Sequence, residues 1–124
     1  MIKQLLAIIS FFLLPIFIAC NEKEEVMCTM EFRTVTITVN GADLDQYYTI
    51  RENTGDTIRI DRGNITGNKV YPVLDDNYQQ AIANKTENFR FRGFINGALL
   101  VNEPFVIKAD QCHIEYVSGK MVIP

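Results

Sequence analysis

The sequence predicts one all-β domain of seven or eight short strands behind an export segment. Beyond residue 19, apolar side chains recur at every second position, which is the period of a half-buried strand. Turn-forming pairs such as Asn40-Gly41 and Asn96-Gly97 separate these runs. The whole chain has 124 residues, which is about one domain's worth. These observations favour a β-sandwich and argue against a multidomain enzyme.

Residues 1–19 are typical of an export signal. Lys3 is their only charge, and the run from Leu5 to Ile18 is almost wholly apolar. Fourteen helical residues span about 21 Å, too short for a hydrocarbon core of about 30 Å. A secretory segment is therefore predicted. The alternatives are a plain signal peptide cut nearby and an uncleaved membrane anchor.

The segment ends in Ala19-Cys20, which resembles the lipobox of bacterial lipoproteins, although Phe17 stands where Leu is usual. The resemblance implies cleavage before Cys20 and diacylation of its sulfur. Two or three acyl chains hold a protein stably on a membrane. Residues 20–27 then form a lipidated tether, and residues 28–124 form the domain. The acidic run after Cys20 resembles a surface-export signal, so we expect an outer membrane lipoprotein on the cell surface or the periplasmic face.

The remaining cysteines, Cys28 and Cys112, form an even pair in an oxidising compartment, where a disulfide is expected. Strand alternation places each cysteine on the apolar face of its segment, so we expect them to meet in the core. Two buried free thiols are the alternative. A metal site is disfavoured, because only His113 adjoins the pair.

In the first half of the domain, apolar and polar residues alternate in short runs that predict strands. The first strand covers residues 30–39, with a bend near Arg33 where the apolar phase switches. Residues 46–52 form the second, with Tyr48 and Ile50 facing the core. Residues 57–62 follow after a hairpin connection, and residues 63–69 form a loop. Residues 70–74 form a strand that Pro72 confines to an edge or a bulge.

The second half begins with the only predicted helix, near residues 76–83, where Asp76 and Gln79 match a capping box. Residues 89–95 form a strand with Phe89 and Phe91 inside, and a hairpin leads to residues 98–102. Pro104 interrupts this strand, and residues 105–109, 111–117 and 121–123 complete the set. Seven or eight strands with at most one helix predict an Ig-like or prealbumin-like β-sandwich.

The run from Ala109 to Ile114 resembles the closing segment of small exported lipoproteins with a carboxypeptidase-regulatory-like, transthyretin-like domain. In that family a cysteine of this run pairs with one just before the first strand, the position that Cys28 occupies here. The resemblance covers roughly residues 28–123. It implies a seven-stranded sandwich and a non-catalytic accessory role.

No catalytic motif is present. The one histidine is His113, and Ser118 is the only serine after the export segment. No nucleophile elbow, zinc-protease motif or phosphate loop occurs. We therefore expect no enzyme activity and no cofactor.

Two carboxylate pairs, Asp43 with Asp45 and Asp75 with Asp76, could contribute to a calcium site only if their loops converge. Turn formation and helix capping explain them equally well. Nucleic acid is disfavoured: after residue 19 the chain has eleven basic and fifteen acidic residues, a net charge of −4.

Tyr47, Tyr71 and Tyr78 are the aromatic residues that we expect on the surface as binding candidates, for a sugar or a protein. Scattered surface tyrosines are the alternative. The sequence thus predicts a lipid-anchored binding or accessory module that serves an envelope protein complex or a glycan. A structural lipoprotein without a ligand and a hydrolase are the other hypotheses.

Overall fold

The computed structural model describes residues 26–41, 43–63, 65 and 67–124. The predicted signal peptide and Cys20 lie outside the described residues. The described chain is an all-β sandwich of two sheets, as predicted. Its strands are β1 (Thr34–Val39), β2 (Gln46–Arg51), β3 (Asp56–Ile58), β4 (Val70–Asp75), β5 (Thr86–Ile95), β6 (Ala98–Ala109), β7 (Ile114–Gly119) and β8 (Val122–Ile123). A 3-10 helix (Asp76–Ile82) follows β4.

The smaller sheet has the order β4-β1-β8, and the larger has the order β3-β2-β5-β6-β7. All neighbours are antiparallel except β1 and β8, which run parallel. The core lies between the sheets. Its largest fully buried apolar side chains are Tyr71, Phe89, Phe91, Phe105, Ile37, Leu74, Ile82, Ile107 and Ile114.

The β5–β6 hairpin confirms the clearest local prediction. Asn96 and Gly97 both have positive φ angles, 50° and 77°, as a two-residue type I′ turn requires. The alternation along β5 is also confirmed, because Phe89 and Phe91 are fully buried. The intervening arginine side chains therefore lie on the opposite face of the sheet.

Pro72 lies on an edge strand, as predicted, because β4 has a neighbour on one side only. The register between β1 and β4 also shifts where Thr36 pairs with Pro72. A proline lacks the N–H that a central strand would need, and an edge with a bulge removes that need.

The predicted break at Pro104 is wrong, since β6 runs without interruption from Ala98 to Ala109. Strand β7 pairs only with the part of β6 that begins at Phe105. Pro104 therefore lies where β6 has one strand neighbour, a position that tolerates the missing N–H.

The predicted orientation of β2 is inverted, because Thr49 is buried while Tyr48 and Ile50 face outward. Its polar inward atoms all have partners. The Thr49 hydroxyl donates to the Val73 carbonyl at 2.6 Å. Arg51 donates twice to the Glu87 carboxylate, at 2.7 Å each. A fully hydrogen-bonded polar face can be buried, and hydrophobicity alone does not show this.

The predicted start of the first strand is also wrong, because β1 begins at Thr34 and both Met30 and Phe32 are exposed. The helix is present, but its N-cap is Asp75, whose carboxylate accepts the Asn77 N–H at 3.0 Å. Gln79 does not close a capping box, since its side-chain amide donates to the Asp110 carbonyl at 2.7 Å.

Candidate functional site

The cysteine pair lies at the end of the sandwich where β7 begins. The sulfurs of Cys28 and Cys112 are 1.98 Å apart and their Cα atoms 5.3 Å apart, which is a disulfide. The predicted location in the core is wrong, because Cys28 is exposed in the non-strand segment before β1. The bond thus attaches the N-terminal segment to the start of β7.

The residues that follow the two cysteines meet as well. The Thr29 hydroxyl lies 3.0 Å from His113 Nε2, and His113 Nδ1 lies 2.7 Å from the Asp76 carboxylate. The His113 and Asp76 side chains are both buried, with exposures of 9% and 8%. We call Thr29, His113 and Asp76 the anchor triad.

Asp76 also fixes two backbone segments. Its carboxylate accepts the N–H groups of Arg33 and Ile114, at 2.8 Å each. Burial alone would raise the pKa of Asp76, but these two N–H donors and the His113 ring outweigh it and lower that pKa. The carboxylate is therefore held ionised, and it joins the N-terminal segment, the 3-10 helix and β7.

The three side chains of the anchor triad contact one another in the same sequence as those of a hydrolase triad. In such a triad a hydroxyl contacts a histidine, and a carboxylate orients the histidine. Neither Thr29 nor His113, however, lines any of the four best-formed grooves among the described residues. The sequence reading missed this cluster. The predicted Cys28–Cys112 disulfide could have indicated part of it, because a disulfide also brings the residues next to each cysteine close together.

The three tyrosines are not the exposed cluster that we expected. Tyr71 is 1% exposed, and its ring centroid lies 5.1 Å from that of Tyr47. Tyr47 and Tyr78 are partly buried against the core. The hydroxyls of Tyr47 and Tyr71 are hydrogen-bonded to the backbone, at Ile60 and Leu44. Burial of these two rings therefore leaves no polar atom unpaired.

The two carboxylate pairs do not converge. Asp45 accepts the Asn96 N–H at the β5–β6 hairpin, while Asp75 and Asp76 flank the start of the helix at the other end of the sandwich. Burial raises the pKa of the Asp75 carboxyl. Within the described residues, no group of three or more potential ligand side chains could hold a metal ion.

A shallow groove follows the open edge of the sandwich, between the segment after β3 and strand β4. It consists of two adjoining hollows of about 380 and 300 Å³ that share Ile60, Asp61 and Asp75. Tyr78 lines the first hollow, and Phe32 and Pro72 line the second.

The outer face of the larger sheet carries a row of polar and aromatic side chains. Tyr48 pairs with Arg92, and Arg92 pairs with Asn102 on the next strand. The Arg59 guanidinium lies 5.1 Å from the Tyr48 ring centroid. We call Arg59, Tyr48, Arg92 and Asn102 the outer row.

Two of the arginines on this face form no ion pair with the acidic residues that the structure describes. Arg90 donates to Glu52 at 2.8 Å and to Asn102 at 3.2 Å. None of the ion pairs among the described residues includes Arg59 or Arg92. The Nε atom of Arg92 is buried without a hydrogen-bond acceptor, which is a costly arrangement. The face thus carries unpaired positive charge on an acidic domain.

Comparison of the chain with protein-family models, with curated proteins and with solved structures found no significant match. Among the described residues, no helix is both long enough and apolar enough to cross a bilayer.

Proposed function

We propose that this protein is a lipid-anchored, non-catalytic accessory module of the bacterial envelope, which binds an acidic protein partner through the outer row. The observation that carries this proposal is that Arg59 and Arg92 form no ion pair within the described part of the chain. Arginine and tyrosine are enriched at the energetic centres of protein interfaces. An arginine fork binds a carboxylate through two parallel hydrogen bonds.

The side chains around the outer row are better suited to contact a protein partner than to bind a small ligand such as a sugar. Strand β5 adds Phe94, whose ring stacks on Tyr48 at 5.5 Å, and β6 adds the exposed Leu100. Because Arg59 and Phe94 already contact the Tyr48 ring, this ring is poorly placed to stack on a sugar. A flat face with apolar and charged groups side by side is typical of protein–protein contact.

Co-purification from native envelope membranes tests the proposal. The double variant R59E/R92E reverses both unpaired charges, and K85E/K120E makes the same charge change at exposed sites outside the sheet face. We expect R59E/R92E to lose a partner that the parent and the control retain, and high salt to weaken the parent complex. Equal recovery with both variants would favour a structural lipoprotein without a ligand.

A hydrolase is the second candidate, and the geometry of the anchor triad is the observation that favours it. A fluorophosphonate probe, which reacts with activated hydroxyls, tests it. Labelling of Thr29 that disappears in H113A would establish a nucleophile. We expect no labelling, because none of the four best-formed grooves, where a substrate could be held, includes Thr29 or His113.

A further inference from the structure

The segment from Val26 to Phe32 presents apolar side chains to solvent. Met27 and Met30 are almost completely exposed, and Val26 and Phe32 are more than half exposed. Single exposed apolar residues are ordinary, but several in one short segment mark an interaction surface. We call Val26, Met27, Met30 and Phe32 the apolar segment.

The backbone that carries the apolar segment is fixed to the domain at three points. The disulfide holds Cys28, the His113 ring contacts the Thr29 hydroxyl at 3.0 Å, and the Arg33 N–H donates to Asp76 at 2.8 Å. These bonds hold the backbone on both sides of Met30. They therefore hold this part of the backbone at the surface, where the Met30 side chain is exposed.

The length of chain before the segment identifies what covers it. Cys20 precedes Val26 by six residues, which span at most about 22 Å when fully extended. If Cys20 carries the lipid, as the proposed function requires, the apolar segment lies within this distance of the headgroups. A lipid anchor also gives the segment a high effective concentration at that surface.

We propose that the apolar segment docks on the bilayer that holds the anchor and inserts Met27, Met30 and Phe32 between the headgroups. This inference rests on the proposed lipidation. Its consequence is a fixed orientation, in which the disulfide end of the sandwich faces the lipid. The β5–β6 hairpin, at the other end, points away from the membrane.

Tryptophan fluorescence tests the docking, because the chain has no tryptophan of its own. The variant M30W places the probe in the apolar segment. The control L100W places it on the exposed face near the far hairpin. Each lipidated full-length variant is reconstituted into phosphatidylethanolamine and phosphatidylglycerol vesicles, with and without brominated acyl chains.

We expect a blue-shifted M30W emission that brominated lipid quenches several-fold more than the L100W emission. Equal quenching of the two variants would overturn the docking. A blue shift without quenching that grows with protein density would also overturn it, because a second copy would then cover the segment. If the lipidation itself is wrong, mass spectrometry of the purified protein finds no acyl chain on Cys20, so the two failures are distinguishable.

Discussion

Removal of the disulfide is the perturbation whose effect the structure defines most clearly. The bond joins residues 84 positions apart, so it closes most of the domain into one loop. In the chain-entropy model, a loop of this length stabilises the folded state by about 4–5 kcal/mol at 25 °C.

The full effect requires that Cys28 stays near Cys112 in the folded variant. The Thr29–His113 and Arg33–Asp76 contacts provide this restraint, because they hold the segment without the sulfur bridge. If the segment detached instead, the folded variant would gain entropy and the loss would be smaller. We therefore treat 4–5 kcal/mol as the upper limit.

Urea unfolding of the C20A protein expressed without residues 1–19, followed by circular dichroism, measures this difference. The comparison is C20A against C20A/C28A/C112A, and the reduced C20A protein serves as the matched control without further substitution. For the triple variant and for the reduced C20A protein, we expect the free energy of unfolding to fall by roughly 3–5 kcal/mol and the melting temperature to fall by at least about 12 °C. A loss below about 1 kcal/mol would refute the reasoning, because the bond would then not constrain the unfolded chain.

Three further predictions concern the folded domain, each measured by urea or thermal unfolding of the C20A protein. Asp76→Asn should lower the free energy of unfolding by about 2–4 kcal/mol, because an amide cannot accept from both backbone N–H groups and the His113 ring. An unchanged free energy of unfolding would contradict the anchor role. The pKa values of Asp76 and Glu87 are lowered in the folded protein, so the stability that these two carboxylates add should be fully present above about pH 5 and should decline as the pH falls further. Unchanged stability between pH 5 and pH 2 would contradict this. Glu87→Ala should cost about 3–5 kcal/mol by leaving Arg51 buried and unpaired, and adding Arg51→Met should restore most of it; full additivity would show that the two side chains do not act as a pair.

Much of the fold follows from short-range patterns. The Asn96-Gly97 turn, the inward Phe89 and Phe91 and the edge position of Pro72 were predicted because each depends on local conformation or strict alternation. The orientation of β2 was not predictable in this way. Both faces of that strand carry aromatic and β-branched residues, and only contacts with β4 and β5 determine which face is buried.

The candidate site was less accessible to sequence reasoning. Thr29, Asp76 and His113 are far apart in the chain, and only the folded topology brings them together. The lack of an ion pair at Arg59 and Arg92 among the described residues likewise becomes visible only once their neighbours are known, because a sequence does not show which charges find partners. The outward position of Arg92 does follow from alternation, because Phe91 beside it was predicted to face the core.

Site-specific photo-crosslinking in intact envelope membranes tests the binding role most directly. A photoreactive residue at Asn102 lies in the outer row, and one at Gln80 lies on an exposed part of the helix as the control. The account predicts a protein adduct from position 102, none from position 80, and loss of that adduct in R59E/R92E. No adduct at position 102, or one that survives the double charge reversal, would contradict the proposed function.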